Sequence, residues 1–252
     1  MNKILLVGGV DNSGGAGILA DKETLVTLGS GAAVAVTAIT VQSDDRFHDS
    51  HSVPAVILEK QLNSINLDEI GAIKIGMLPH SDSIEVLAEF LTECRTMPVV
   101  LDPVFSSSSG GKLCSQNAFE SLISLLLPLV SLTTPNLSEA LRLTDSQSED
   151  SQDPVRLANE CLSLGARAVL VKGGHLPGDH CVDLLARNGE RELLFERPRI
   201  SGGIRVRGTG CRLATAIAWC LSKEKGLPEA VKNAGDYVHG YIQRQSRRGK
   251  AF

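Results

Sequence analysis

Apolar and polar positions alternate along this chain in two rhythms, short apolar runs and longer stretches with helical spacing, and the two take turns from end to end. Ile4–Gly8 reads as a strand, followed by a helix over Ala16–Leu28 that stops at Gly29. Ala32–Val41 is a β-branched strand. Pro54–Ile65 is a helix with proline in its first turn. Ala72–Ile75 is a short buried strand, and Ser81–Thr96 a helix that Ser81 or Asp82 would cap. Val99–Leu101 is a strand, Ala118–Leu127 a helix, and a strand follows near Val130–Leu132. Leu137–Leu143 and Pro154–Leu164 are helices, the second stopped by Gly165, and Ala168–Val171 is a strand. The rhythm then changes. Val182–Ala186 and Glu192–Glu196 flank Asn188-Gly189, the favoured dipeptide of a two-residue hairpin, so an antiparallel pair is expected at one sheet edge. Helices over Thr209–Leu221 and Pro228–Gln245 finish the chain, with a basic, solvated end over Arg244–Lys250. Alternation of this kind predicts one α/β domain over residues 1–252, with a mostly parallel sheet covered on both faces. The polar stretch Asp145–Asp153 reads as a loop within that domain.

Composition sharpens this. Hydrophobic residues make up 42% of 252, enough for a sizeable core. Aromatic residues are only 4%, so the core must be aliphatic, and stacking platforms for nucleobases are scarce. A formal charge of −4 also argues against nucleic acid as a partner. No apolar stretch approaches the length that spans a membrane, and the short apolar N-terminus reads as a first strand, not a signal peptide. Six cysteines lack zinc-like pairing and read as mostly reduced core thiols, with the cytoplasm as the expected compartment.

The distinctive polar residues fall where strands end. Strand one runs into Gly9-Val10-Asp11-Asn12-Ser13-Gly14-Gly15-Ala16-Gly17, the second ends at Gln42, and the third leads into Lys74-Ile75-Gly76-Met77. The next ends at Asp102-Pro103, the fifth reaches Thr134-Pro135-Asn136 and Glu139, and the sixth ends at Lys172-Gly173-Gly174-His175. In open α/β sheets ligands bind outside the carboxyl ends of the strands, so these groups share one rim. Each has a plain reading as well. The glycine loop is a tight strand-to-helix turn or a site of close ligand approach. Asp21 is a surface residue or a ligand anchor. Glu139 is a helix-terminal charge or, with Asp102, a holder of Mg2+. His175 is a loop residue or a ligand contact. Lys172 can reach a phosphate.

Arg207-Gly208-Thr209-Gly210-Cys211 leads into the apolar helical stretch after it. Two glycines around a threonine at a helix start gather unpaired N–H groups at one point, which favours an anion. Cys211 on that first turn would have its thiolate favoured by the same field. Gly208, Thr209 and Gly210 as an anion hole, Lys172 as a cation, Asp102 and Glu139 for metal, and Cys211 as base or acceptor-orienting group describe a phosphoryl-transfer site.

The ordered motifs G-x-D-x-S-G-G-A-G-I-x-A-D, K-I-G-M-L, L-D-P-V, T-P-N-x-x-E, K-G-G-H and G-T-G-C together resemble the hydroxymethylpyrimidine and phosphomethylpyrimidine kinases of thiamin biosynthesis, within the ribokinase-like superfamily. The resemblance runs from Gly9 to about Ala218. It implies a three-layer α/β/α fold, ATP and Mg2+, often a homodimer, and two successive phosphorylations. It implies that Gly9, Asp21, Gln42 and Met77 line the pyrimidine pocket, that Asp102 and Glu139 organise Mg2+, that Lys172 meets ATP phosphates, and that Cys211 sits at the acceptor hydroxyl. The same fold also serves pyridoxal or pyridoxine, and a non-catalytic pyrimidine-binding relative is a further alternative. The chain departs from the family where Val206-Arg207 replaces Thr-His, where Arg212 follows the cysteine, and where Ser43-Asp44-Asp45 follows Gln42. Arg205, Arg207 and Arg212 are expected to bind phosphates, with Thr209 and Arg212 at the nucleotide, or else to face solvent or pair with acids such as Asp236. The serine-rich Phe105–Gly111 reads as a partial lid.

Overall fold

The computed structural model describes residues 2–43, 46–106, 111–145, 153–174, 178–203 and 206–248. Its organising element is β1 (Lys3–Asp11), whose Ile4, Leu5, Leu6 and Val7 are all buried, as a strand covered on both faces requires. Helix α1 (Gly17–Thr27) follows, then β2 (Ala32–Gln42), which lies parallel to β1. On its other side β1 pairs in parallel with β4 (Ile70–Ile75), and β5 (Val99–Leu101), β6 (Leu132–Thr133) and β7 (Ala168–Val171) extend the parallel run. Three more strands, β3 (Phe47–Ser52), β8 (His180–Arg187) and β9 (Leu193–Pro198), join by antiparallel pairing to complete, among the described residues, a nine-stranded sheet of order β3-β2-β1-β4-β5-β6-β7-β8-β9. β3 edges β2, and β8 with β9 forms the hairpin beyond β7.

Helices cover both faces. Leu5, Val7, Ile73 and Ile75 pack with α2 (Ala55–Asn63), α3 (Ser81–Glu93), α4 (Gln116–Ser121), α5 (Leu137–Thr144) and α6 (Pro154–Ser163). Ile4, Leu6, Ala72 and Val100 face the other way, onto α1, α7 (Thr209–Leu221) and α8 (Leu227–Arg248). This is the three-layer α/β/α fold expected, with its antiparallel edge hairpin. No helix among the described residues is long and apolar enough to cross a membrane.

Several local expectations are corrected. Neither Ser81 nor Asp82 caps α3. His80 occupies that position without a side-chain bond, and Asp82 Oδ1 accepts from the Ser83 N–H at 2.7 Å. The helix expected over Ala118–Leu127 begins at Gln116, capped by Ser115, and passes at Leu122 into a π-helical turn. Pro128 then forces a tighter turn. β3, which the polar run Phe47–Ser52 hides from hydrophobic patterning, is held by its ladder to β2. Parts of the expected lid, of the Asp145–Asp153 loop and of the basic tail, together with Asp44, Asp45, His175 and Arg205, lie outside the described residues.

Candidate active site

The carboxyl ends of β1, β4, β5 and β7 open onto one cleft of about 620 Å3, closed on its far side by the start of α7. Two close backbone approaches shape it. Gly208, at φ 69°, brings the turn before α7 against the glycine loop, where a Cβ would lie 2.2 Å from the Gly15 carbonyl oxygen. Gly17, at φ 60°, folds the same loop onto β1, where a Cβ would meet the Gly9 carbonyl oxygen at 2.4 Å. Only glycine fits either place. Asp11 fastens the loop further, accepting from Ser13 N–H at 2.9 Å and Ala16 N–H at 3.0 Å.

Beneath α7 the buried Asp102 joins two partly buried charges, Lys172 and Glu139. Lys172 Nζ donates to Asp102 Oδ1 at 2.7 Å and lies 3.7 Å from Glu139 Oε2. The same ammonium would be 3.1 Å from a Cβ on Gly210, so it sits directly under the first turn of α7. Burial alone would lift Asp102; Lys172 and Lys74 outweigh it and hold the carboxyl below its usual value. Burial likewise works against the charge on Lys172, but Asp102 and Glu139 more than offset it and raise the ammonium above its ordinary range. Glu139 completes a capping box with Asn136, its Oε2 accepting from the Asn136 N–H at 2.7 Å. Burial pushes it up to about 7, with Lys172 opposing.

Two carboxylates beside one ammonium fit a Mg2+ ion held largely by phosphates and water, since such ions use one or two protein carboxylates. No group of three or more His, Cys, Asp or Glu that could hold a metal ion occurs among the described residues.

Nearer β1 lies a second pair. Lys74 and Asp21 join at 2.7 Å with side chains only 2% exposed, and Thr215 Oγ1 donates to the other Asp21 oxygen at 2.8 Å. Burial pushes the Asp21 carboxyl up, against Lys74. For Lys74, burial is outweighed by Asp21, Cys211 and Asp102, and the ammonium stays above its usual range. Both Asp21 oxygens are thus engaged by protein groups, so Asp21 reaches the cleft chiefly through Lys74. Lys74 had no role assigned from sequence; its signal was a lysine between Ile73 and Ile75 in a buried strand, where a charge needs a partner.

Met77 Sδ sits 2.9 Å from where a Cβ on Gly9 would be, and Gln42 is nearly buried at the end of β2. Cys211 is on the first turn of α7, but the expectation of a favoured thiolate is overturned. Desolvation outweighs Lys74 and the backbone bond from Gly17, and the thiol is pushed up to about 12. Gly9, Asp21, Gln42, Met77, Asp102 and Glu139 all line the cleft, as do Lys172 and the whole run Gly208–Cys211. Arg212 does not. It is buried between α1 and α7, donating to Ala20 O at 3.1 Å and Glu23 Oε2 at 2.6 Å, with its guanidinium 4.1 Å from the Tyr241 ring. Helical spacing turns it away from Cys211 and the anion hole. Asp236 pairs with Arg197 (3.1 Å) and Lys232 (2.8 Å).

A glycine-bracketed helix start, a largely covered ammonium and adjacent carboxylates at the strand ends of this three-layer fold define a ribokinase-like phosphotransferase. The chain belongs to the phosphomethylpyrimidine kinase family, whose model matches residues 11–252. It is 37% identical over 249 residues to a hydroxymethylpyrimidine/phosphomethylpyrimidine kinase of Aquifex aeolicus, covering 98% of this chain and 97% of that one. A kinase of the same description from Streptomyces coelicolor is 39% identical, covering 95% and 88%. Among solved structures, phosphomethylpyrimidine kinase from Clostridium difficile 630 superposes with a TM-score of 0.82 at 32% identity, covering 96% and 100%. Pyridoxal kinase from Staphylococcus aureus in complex with pyridoxal gives 0.84 at 30%, covering 96% and 88%. The chain is therefore a kinase, of a family that acts in thiamin biosynthesis.

Proposed function

We propose that this chain transfers the terminal phosphoryl group of ATP to the hydroxymethyl oxygen of hydroxymethylpyrimidine, and then to the phosphate of the monophosphate so formed. The observation that supports this reading is that one cleft is lined by Gln42, Met77, Cys211 and the Lys172–Asp102 pair, with Lys172 under the first turn of α7. Gly9, Gln42 and Met77 hold the pyrimidine. Asp21 keeps Lys74 charged at its edge. Lys172, Thr209 and the first N–H groups of α7 bind and orient the transferring phosphoryl group, whose loose transition state is stabilised mainly by positioned charge. Cys211, protonated at neutral pH, orients the acceptor hydroxyl; a strong base is little needed for such a transition state. Asp102 and Glu139 would hold Mg2+, which would supply screening of the phosphate charge. Exposed Val34, Ile39 and Val41 on β2 support a homodimer. Six unpaired cysteines and ATP as co-substrate support a cytoplasmic site of action.

A second reading, phosphorylation of pyridoxal, is favoured by the superposition on a pyridoxal-bound kinase. A coupled assay of ATP consumption with Mg2+ separates them. Turnover is expected with hydroxymethylpyrimidine and with its monophosphate. Preference for pyridoxal would replace the first reading, and tight pyrimidine binding without turnover would make the chain a binding relative.

A further inference from the structure

Arg207 lies one residue before the Gly208 turn, and its side chain folds back over the glycine loop. Nη1 donates to Ser13 Oγ at 2.9 Å and to the Ser43 carbonyl at 3.1 Å. Nη2 donates to Asp11 Oδ2 and to Gln42 Oε1, each at 3.1 Å. One guanidinium therefore joins the glycine loop, the end of β2 and the approach to α7.

The contact with Gln42 has a polarity. A guanidinium only donates, so the amide oxygen of Gln42 must face it. At the other end Gln42 Nε2 donates to Thr40 Oγ1 at 3.0 Å, while the Thr40 hydroxyl donates its own proton to the Val10 carbonyl at 3.2 Å. Thr40 thus has only lone pairs left for Gln42. Turning the amide over would set donor against donor at Arg207 and acceptor against acceptor at Thr40. Each amide end still keeps one hydrogen-bonding position, an N–H and a carbonyl lone pair in fixed order.

We propose that Arg207 is a specificity-determining positioning residue. With Thr40 it locks the Gln42 amide so that the cleft presents one donor beside one acceptor to the bound ring. That order complements an aminopyrimidine edge, where an amino group neighbours a ring nitrogen. Pyridoxal has no amino group beside its ring nitrogen. The inference rests on the pyrimidine reading above and adds to it how the ring is chosen. An amide free to flip adapts to either pattern; a locked one leaves buried polar groups unpaired against the wrong ring, which is how hydrogen-bonding sites discriminate.

The test measures kcat and KM for hydroxymethylpyrimidine and pyridoxal in the wild type, Arg207→Ala, Arg207→Lys, Gln42→Ala and the Arg207→Ala/Gln42→Ala double variant. Arg207→Ala is expected to lower the preference for hydroxymethylpyrimidine about tenfold, through KM, with kcat changed less than about threefold. Arg207→Lys keeps a positive charge beside Asp11 and guards against a folding defect. It lacks the second nitrogen by which Ser13 and Ser43 fix the guanidinium, so its ammonium is not held in place against Gln42 and the same fall is expected. In the Gln42→Ala background, Arg207→Ala is expected to change the preference no further, because it acts through Gln42. An unchanged preference in either folded Arg207 variant, or an undiminished effect without Gln42, overturns the proposal while the pyrimidine reading stands. Wild-type protein that does not turn over hydroxymethylpyrimidine overturns both, and that measurement alone reveals it.

Discussion

Lys74→Met removes one partner of the most deeply buried ion pair in the site. The remaining Asp21 carboxylate keeps only Thr215, in surroundings where its side chain is 2% exposed. Stranding a buried charge in this way costs about 3–5 kcal/mol. The carboxyl has one escape, protonation. Starting from the ordinary value of 3.8, taking up a proton at pH 7 costs about 4 kcal/mol, at about 1.4 kcal/mol per unit. The two routes are similar at pH 7, so the variant should lose about 3–4 kcal/mol there. At pH 5 the protonation route costs only about 2 kcal/mol, and the loss should shrink to match. The sign follows from linkage. Burial already raises the folded Asp21 pKa, and removing Lys74 raises it further. The folded state then binds more protons than the unfolded one above pH 3.8, and stability falls as pH rises. Urea unfolding of both proteins at pH 5, 6 and 7 measures this, and Lys74→Met/Asp21→Asn should recover most of the loss. A deficit below about 1 kcal/mol at pH 7, or one independent of pH, would refute the claim that Lys74 neutralises Asp21.

Gly208→Ala puts a side chain at φ 69° and 2.2 Å from the Gly15 carbonyl oxygen. The left-handed backbone alone costs about 1–2 kcal/mol, so a thermal melt should fall by at least about 2 °C and kcat/KM by about 100-fold; a normal melt and normal turnover would contradict the docking of the two loops. Cys211→Ala should lower kcat about 100-fold while the Kd for hydroxymethylpyrimidine moves less than about threefold, and an unchanged kcat would show that the thiol is not needed. Arg212→Thr should destabilise by about 2–4 kcal/mol in denaturant, because it removes the Ala20, Glu23 and Tyr241 contacts, with KM for ATP within about twofold of wild type. A large rise in that KM would return Arg212 to the nucleotide site.

Apolar strands and amphipathic helices were legible because burial imposes their periodicity locally. Val99–Leu101, Ala168–Val171 and Thr209–Leu221 fall at the residues that pattern picks out. β3 was not legible, since His48, Asp49 and His51 sit at an edge where burial asks little of the side chains. The rim of the cleft was legible because chain reversal at strand ends gathers whatever those ends carry. What each residue does there depended on partners far away in sequence. Lys74 meets Asp21 across 53 residues, and Arg212 meets Glu23 across 189. Cys211 shows the limit of a local argument: the helix terminus favours a thiolate, but burial, which only tertiary packing supplies, is the larger effect.

The division of the core between two helical layers has a consequence for synthesis. The face of the sheet bearing Ile4, Leu6, Ala72 and Val100 is covered by α1 together with α7 and α8, which leave the ribosome after every strand of the sheet. A nascent chain that has emerged through β9 can bury its other face under α2–α6 while this one stays partly bare. Such apolar surface is what chaperones recognise and what aggregates when translation stalls. One of the two helices that seal it, α7, also carries Gly208–Cys211 at its start. Phosphoryl transfer and protection from aggregation therefore arrive in one late step, and a truncated chain lacks both.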